Sequence, residues 1–257
     1  MTHLSVVGCG NMGGALLKGL SKSGTHRLVG CDVDPDAREA IAPYCTETTD
    51  DLSVAAEADI VVLAVKPDTV GKLLPALGLT EAQTLISIAA GVSTDYLAER
   101  TEANIVRLMP NLAAETNNMA AAVTGAVDDE IRDLLAEVGE FAEIEEAQMD
   151  IATAVNGSGP AFVFYLIGAM KSAGVDSGLE DEQAETLAAQ TFKGAAETVL
   201  RSDRSIDELI DAVCSPGGTT IEGMEVLWDS DVERDVGAAV HAAEDRSREM
   251  ADGFADE

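Results

Sequence analysis

The chain has 257 residues, 46% of them hydrophobic, and 47 acidic against 16 basic side chains give it a formal charge of −31. That length is enough for two ordinary domains, each with its own buried core, and the charge, spread over both halves, argues against nucleic acid and anionic membranes as partners. No apolar run in the sequence approaches the roughly 20 residues that cross a bilayer, and the N-terminus enters strand-like "HLSVVG" without a secretion signal, so a cytoplasmic location is expected.

From the N-terminus, short β-rich runs alternate with helical ones: 3–8, 27–31, 59–65, 84–89, 104–109 and 119–125, with stretches such as "NMGGALLKGLSKSG" and "TVGKLLPALG" between them. This alternation predicts an α/β fold built on a parallel sheet with crossover helices. After Gly159-Pro160 the β signal ends. Residues 184, 187, 188, 191, 192, 195 and 199 follow helical spacing, and "PAFVFYLIGAM" is apolar all round, which predicts a helical domain whose second layer can be another subunit. The predicted domains are 1–156 and 157–257.

"GCGNMGG" places Gly8, Gly10 and Gly13 in GxGxxG spacing between a strand and a helix. Such a turn cradles a dinucleotide pyrophosphate at the helix N-terminus; the alternative is a bare strand–helix turn. Asp32 ends the second strand, where a carboxylate accepts from an adenosine ribose 2′-OH and repels a 2′-phosphate; in so acidic a chain, chance placement is the alternative. "AVKP" (64–67) and "AAGV" (89–92) follow strand C-termini, where ligands of open sheets collect, with a solvated loop lysine as the other reading of Lys66. "MPN" (109–111) ends a further strand. "NGSGPAF" (156–162) reads as a helix entry, with Ser158 or Gly159 near the cap and Pro160 in the first turn. In "SPGGTT" (215–220), Gly217, Gly218 and Thr219 precede a helix expected to start near Thr220, so their N–H groups form either an anion site or an elaborate cap. Cys9, Cys31, Cys45 and Cys214 show no metal or disulfide spacing, and His3, His26 and His241 lie in no polar cluster, which argues against histidine acid–base chemistry.

Together, "GCGNMG", "LAVKP", "SIAAGV", "RLMPN", "NGSGPAFVFYL" and "SPGGTTIEGMEVL" resemble the pyrroline-5-carboxylate reductase family, in order from residue 3 to about residue 250. The resemblance implies an N-terminal Rossmann-type domain and an all-helical C-terminal domain that pairs two chains, at least a homodimer and in some members a decamer. It implies reduction of the cyclic imine 1-pyrroline-5-carboxylate to proline with NAD(P)H. By position it makes Gly8, Cys9, Gly10, Asn11, Met12, Gly13, Ala64, Val65, Lys66 and Pro67 cofactor-binding, and puts Ala89, Ala90 and Gly91 beside the nicotinamide. It makes Glu146, Ser215, Gly217, Gly218, Thr219 and Thr220 substrate-binding, with Thr220 as the catalytic contact to the ring nitrogen. Asp32 replaces a small polar residue that often accepts a 2′-phosphate, and Ala212 stands where some members use Asn, so the cofactor expectation leans to NADH. The competing enzyme reading, a β-hydroxyacid-type or F420-linked oxidoreductase, needs a helix lysine for which only Lys171 is available; a dinucleotide-sensing protein without turnover is the non-enzyme reading.

With only six lysines among 257 residues, the acidic excess predicts a folded protein with a uniformly acidic surface, as in organisms with a concentrated-salt cytoplasm. Self-repulsion reaches over about 30 Å at 0.01 M salt and about 3 Å at 1 M. Thermal melts across a KCl series should therefore rise steeply; a flat midpoint would count against the high-salt reading.

Overall fold

The computed structural model describes residues 2–255, with burial described up to residue 251. In chain order the first unit contains β1 (His3–Val7), α1 (Asn11–Ser21), β2 (Arg27–Cys31), α2 (Pro35–Ile41), β3 (Glu47–Thr49), α3 (Leu52–Ala55) and β4 (Ile60–Leu63). It continues through α4 (Pro67–Leu77), β5 (Thr84–Ser87), α5 (Thr94–Ala98), β6 (Asn104–Pro110), β7 (Met119–Gly125), α6 (Asp129–Ala136), β8 (Gly139–Glu143) and α7 (Met149–Ala152). The second unit contains α8 (Gly159–Asp176), α9 (Asp181–Arg201), α10 (Ile206–Val213) and α11 (Thr219–Trp228). A long α12 (Val232–Ala255) starts in that unit and ends in the first.

The sheet order is β3-β2-β1-β4-β5-β6-β7-β8, parallel except for β6 with β7. Its central strands alternate between two cores. Leu4, Val6, Val62 and Ile86 pack with Leu16, Leu17 and Leu20 of α1, while Val7, Val61, Leu63 and Leu85 pack with Val70 and Leu74 of α4. A strand covered on both faces has no polar side to show, which is why these runs read as continuously apolar. The antiparallel β6–β7 pair is joined by a turn in which Asn117 takes a left-handed φ of 56°. Its amide donates to the carbonyls of Glu137 (2.6 Å) and Gly19 (3.3 Å), which holds a conformation that few non-glycine residues adopt.

β3 and β8 were not among the predicted strands. "ETT" and "GEFAE" have no apolar alternation of their own, and both become strands by pairing at the sheet edges. The boundary also differs from the predicted one: the first unit runs through Ser158 and takes back the stretch from His241 onward, and the second is Gly159–Val240. On α12, Ser247 donates to Asp150 at 2.7 Å, a contact that sequence periodicity cannot foresee.

The predicted helix entry at 156–162 is instead the middle of one continuous helical run. Residues 153–158 form a wide π-type turn between α7 and α8, so Pro160 lies inside helix. Proline has no N–H, which deprives the carbonyl four residues earlier, that of Asn156, of its helical donor. Asn111 Nδ2 supplies one at 3.2 Å, and the Asn156 amide in turn donates to the carbonyls of Met109 (2.7 Å) and Ala120 (3.0 Å). The run Glu146–Asp176 is 31 residues and contains an 18-residue window of mean hydropathy 1.3, long and apolar enough to cross a membrane by length and composition alone. The sequence reading counted only its apolar centre and so set the span too short.

In the second unit, Gly174 lets α8 approach α9 closely, since a Cβ there would lie 3.3 Å from that of Ala184. Lys171 braces the same pair through Asp181 (2.8 Å) and Glu185 (2.6 Å). Burial inside this unit is slight: Phe164 is 70% and Tyr165 79% exposed, and Val226 and Trp228 are also open.

Candidate active site

The C-terminal ends of β1, β2, β4 and β5 bring the predicted cofactor residues to one edge of the first unit. Gly8 (φ +96°) lies so close to β4 that a Cβ would sit 2.5 Å from the Ala64 carbonyl oxygen, and one on Gly13 would sit 2.0 Å from that of Gly8. Both positions demand glycine for steric reasons. The turn is pinned by Gly8 N–H to Cys31 O and Ala64 N–H to Val7 O, each 2.8 Å.

Gly10 differs. A Cβ there would meet nothing within 4 Å, and Gly10 is the N-cap of the 11-residue α1, with no side-chain cap and no acid in the first turn. An open, uncapped helix N-terminus beside a glycine suits a pyrophosphate, so the residues fit a dinucleotide. Around it Cys9 and Gly13 are buried, Met12 is half-buried, and Asn11 is exposed. The Cys9 thiol is pushed up to about 12, first by burial and then by the Asp32 charge, which leaves it a packing group and not a nucleophile.

The Asp32 carboxylate accepts from the N–H groups of Cys9 (2.6 Å) and Asp34 (2.9 Å), which aims it at the glycine turn. Arg38, one residue beyond the "VDPDA" run that follows Asp32, donates to the Asp32 carbonyl at 2.6 Å and lies 3.6 Å from Asp50. Ala64, Val65 and Pro67 are half-buried and Lys66 is exposed as the N-cap of α4. Ala89, Ala90 and Gly91 follow β5; Gly91 has φ +76°, and a Cβ there would lie 3.3 Å from Ala251 Cα of α12.

Glu146 also belongs to this unit. Its Oε1 accepts from Arg107 Nη1 at 2.5 Å and from Thr94 N–H at 3.3 Å, while Oε2 is buried without a partner in the chain. Arg107 was missed by the sequence reading, though an arginine in the middle of apolar "NIVRLMP" was the available signal.

The second unit holds the other motif. Gly217 takes φ +68°, Gly218 N–H bonds to Ser215 O at 2.9 Å, and a Cβ on Gly218 would fall 2.4 Å from Ser215 Oγ. This tight turn starts α11 at Thr219, one residue earlier than predicted. The free donors are therefore those of the first helical turn from Thr219 onward, with Gly218 as an N-cap that offers no side-chain bond. Thr219 is exposed. Thr220 is half-buried and lines a groove of about 500 Å³ with Ala212, Val213, Cys214 and Met224. Lys171 is held in its charged form by hydrogen bonds to Asp181 and Glu185, which raise its pKa, so it is a brace between helices and a poor base. Among the described residues no group of three His, Cys, Asp or Glu side chains is placed to hold a metal ion.

An open glycine turn at the C-terminal edge of a parallel sheet, with a carboxylate held against that turn and a helical unit following, is the arrangement of a Rossmann-type dinucleotide-dependent oxidoreductase. Comparison with known proteins narrows the class. Residues 3–91 match the family described as NADP oxidoreductase, coenzyme F420-dependent, and residues 146–250 match pyrroline-5-carboxylate reductase dimerisation. The pyrroline-5-carboxylate reductase of Methanosarcina acetivorans is 37% identical over 96% of this chain and 97% of its own, and that of Pisum sativum 34% over 96% of each. Among solved structures, the Coxiella burnetii enzyme superposes with a TM-score of 0.88 at 30% identity, covering 97% of this chain and 98% of its own. The Plasmodium falciparum enzyme, with NADP bound, gives 0.83 at 31% over the same shares. The chain belongs to the pyrroline-5-carboxylate reductase family.

The two glycine types separate experimentally. Gly10→Ala should fold with a wild-type melting temperature yet lose NADH affinity by about tenfold or more, because its methyl group enters the space left for pyrophosphate. Gly13→Ala should be destabilised, because its Cβ meets backbone. Equal NADH affinity in folded Gly10→Ala would remove the cofactor assignment of this turn.

Proposed function

We propose that this protein reduces 1-pyrroline-5-carboxylate to L-proline, the last step of proline synthesis, with hydride taken directly from NAD(P)H. The observation that carries the reading is the pair of uncapped helix N-termini built by glycine turns, one at Gly10 and one at Gly218, in a chain of this family. The bound cofactor supplies the hydride. On the substrate side, the N–H groups at the start of α11 hold the carboxylate, with Ser215, Gly217 and Gly218 shaping the turn. The Thr220 hydroxyl bonds the ring nitrogen, whose charge falls as the imine carbon receives hydride. An iminium is already electrophilic, so positioning and fixed dipoles carry the rate and no histidine is needed.

The cofactor preference we infer is NADH. Asp32 ends β2 where the ribose 2′-OH would lie, and the first cation after it in the chain, Arg38, is tied to the Asp32 carbonyl and lies near Asp50 instead of standing free for a 2′-phosphate. A like-charge contact there disfavours NADPH by about 1–3 kcal/mol. The open apolar residues of α8 and α11 suit a second copy of the chain, so a homodimer is the smallest assembly in this reading and a decamer the larger one the resemblance implies. As a biosynthetic enzyme with this charge it acts in a cytoplasm of concentrated salt.

Steady-state kinetics in molar salt test the reading: pyrroline-5-carboxylate should drive oxidation of NADH at least as well as of NADPH. A tenfold higher specificity constant for NADPH would sink the preference, and no imine-dependent oxidation of either would sink the function.

Thr220→Ala should lower kcat about ten- to hundred-fold while NADH affinity holds, since a hydrogen bond that strengthens only in the transition state is worth roughly 1.5–3 kcal/mol. Thr219→Ala should do less, as neighbouring helix side chains point about 100° apart. Wild-type turnover in a folded Thr220→Ala variant would show that the hydroxyl has no part in the reaction.

A further inference from the structure

Arg107 stands on β6 between Ser87 of β5 and Thr124 of β7, and its side chain is only 7% exposed. The Glu146 oxygen that it meets also receives the N–H of Thr94, the first residue of α5. One carboxylate thus joins β6, the turn that leads into α7, and the far end of the loop that begins at Ala89. The near end of that loop is held by β5, through Ala89 N–H to Ser87 Oγ at 3.4 Å. Its middle is held by packing, with Ala90 against Met109 and Met149. The loop is therefore fixed at both ends, and one of its two anchors is the ion pair.

Arg107 is deeply buried and Glu146 about a third exposed, 7% against 34%, and the pair is poorly bonded. Arg107 Nε and Glu146 Oε2 are both buried without partners, so a guanidinium and a carboxylate that can share two hydrogen bonds share one. Such a pair is no more stabilising than apolar side chains of the same volume, although breaking it by removing one partner is strongly destabilising. Stability does not account for its presence; what it holds in place does.

We propose that Arg107 and Glu146 are positioning residues that lock the loop 89–94 in the geometry that presents the nicotinamide for hydride transfer. In this role Glu146 acts through its Oε1 bond to Thr94 and the loop. The proposal rests on the reading of function given above.

The test is the double variant Arg107→Met/Glu146→Leu, which removes both charges and strands neither. It should melt within a few degrees of wild type and bind NADH within about threefold, since the glycine turn, Asp32 and residues 64–67 are untouched. Its kcat should fall about ten- to hundred-fold, the scale expected when reacting atoms are misplaced by about 1 Å, and amide exchange at Thr94 should speed up by about tenfold or more. A purely structural role would restore turnover together with the melting temperature, so wild-type kcat in the folded double variant overturns the proposal. If the double variant does not fold, Thr94→Pro decides: proline suits the first position of α5 but lacks the N–H that Glu146 accepts, so a fall in kcat supports the anchor and wild-type kcat overturns the proposal. Were wild-type protein inactive on the imine, the functional reading would fail while the exchange measurement still judged the loop anchor.

Discussion

The contact between the first glycine turn and the end of β4 governs the rest of the site. At Gly8 and Gly13 the backbone of one βα turn meets the carbonyl and side chain of another with no room for a methyl group. That closeness lets α1 start directly above the sheet, with its N–H groups open to the edge where β2 delivers Asp32 and β5 delivers the loop from Ala89. A single Cβ in this contact would push α1 off the strand and widen the cradle that Gly10 leaves open. The same contact orders the two cores, because α1 seals one face of the sheet only while it lies flat on β1 and β4.

Polar groups inside the first unit do a different kind of work. Asn111 and Asn156 together let a proline sit inside a continuous helix by replacing the donor that Pro160 lacks and by tying the wide turn to β6 and β7. Arg107 and Glu146 tie the loop after β5 to the same strand. Each pair exchanges hydration for a few directed bonds, a poor bargain for stability alone and a good one for holding backbone at a fixed place. β6 is thus the rail against which both the loop and the exit into α8 are set.

The second unit is built on another principle. Its helices bury little within one chain, and Phe164, Tyr165 and Trp228 are left open. The matching family region is named for dimerisation, and open apolar faces of this kind are what self-association covers. Charge of this density repels between copies at low ionic strength and is screened as salt rises, opposite in sign to the pull of apolar area.

The sequence by itself determined the parallel α/β half, the helical half, and the two glycine turns. Central strands buried on both faces must be apolar throughout, and a backbone that touches backbone must be glycine; both constraints act residue by residue and leave a local trace. Tertiary structure alone decided the edge strands β3 and β8, the return of α12 to the first unit, and the passage of helix through Pro160. "ETT" and "GEFAE" are strands only because a neighbour pairs with them, and the helical run through Pro160 takes a donor for the Asn156 carbonyl from Asn111, 49 residues before the proline. Likewise the sequence marked Glu146 and passed over Arg107, because the meaning of a buried charge lies in its partner, and the partner here is 39 residues away along the chain.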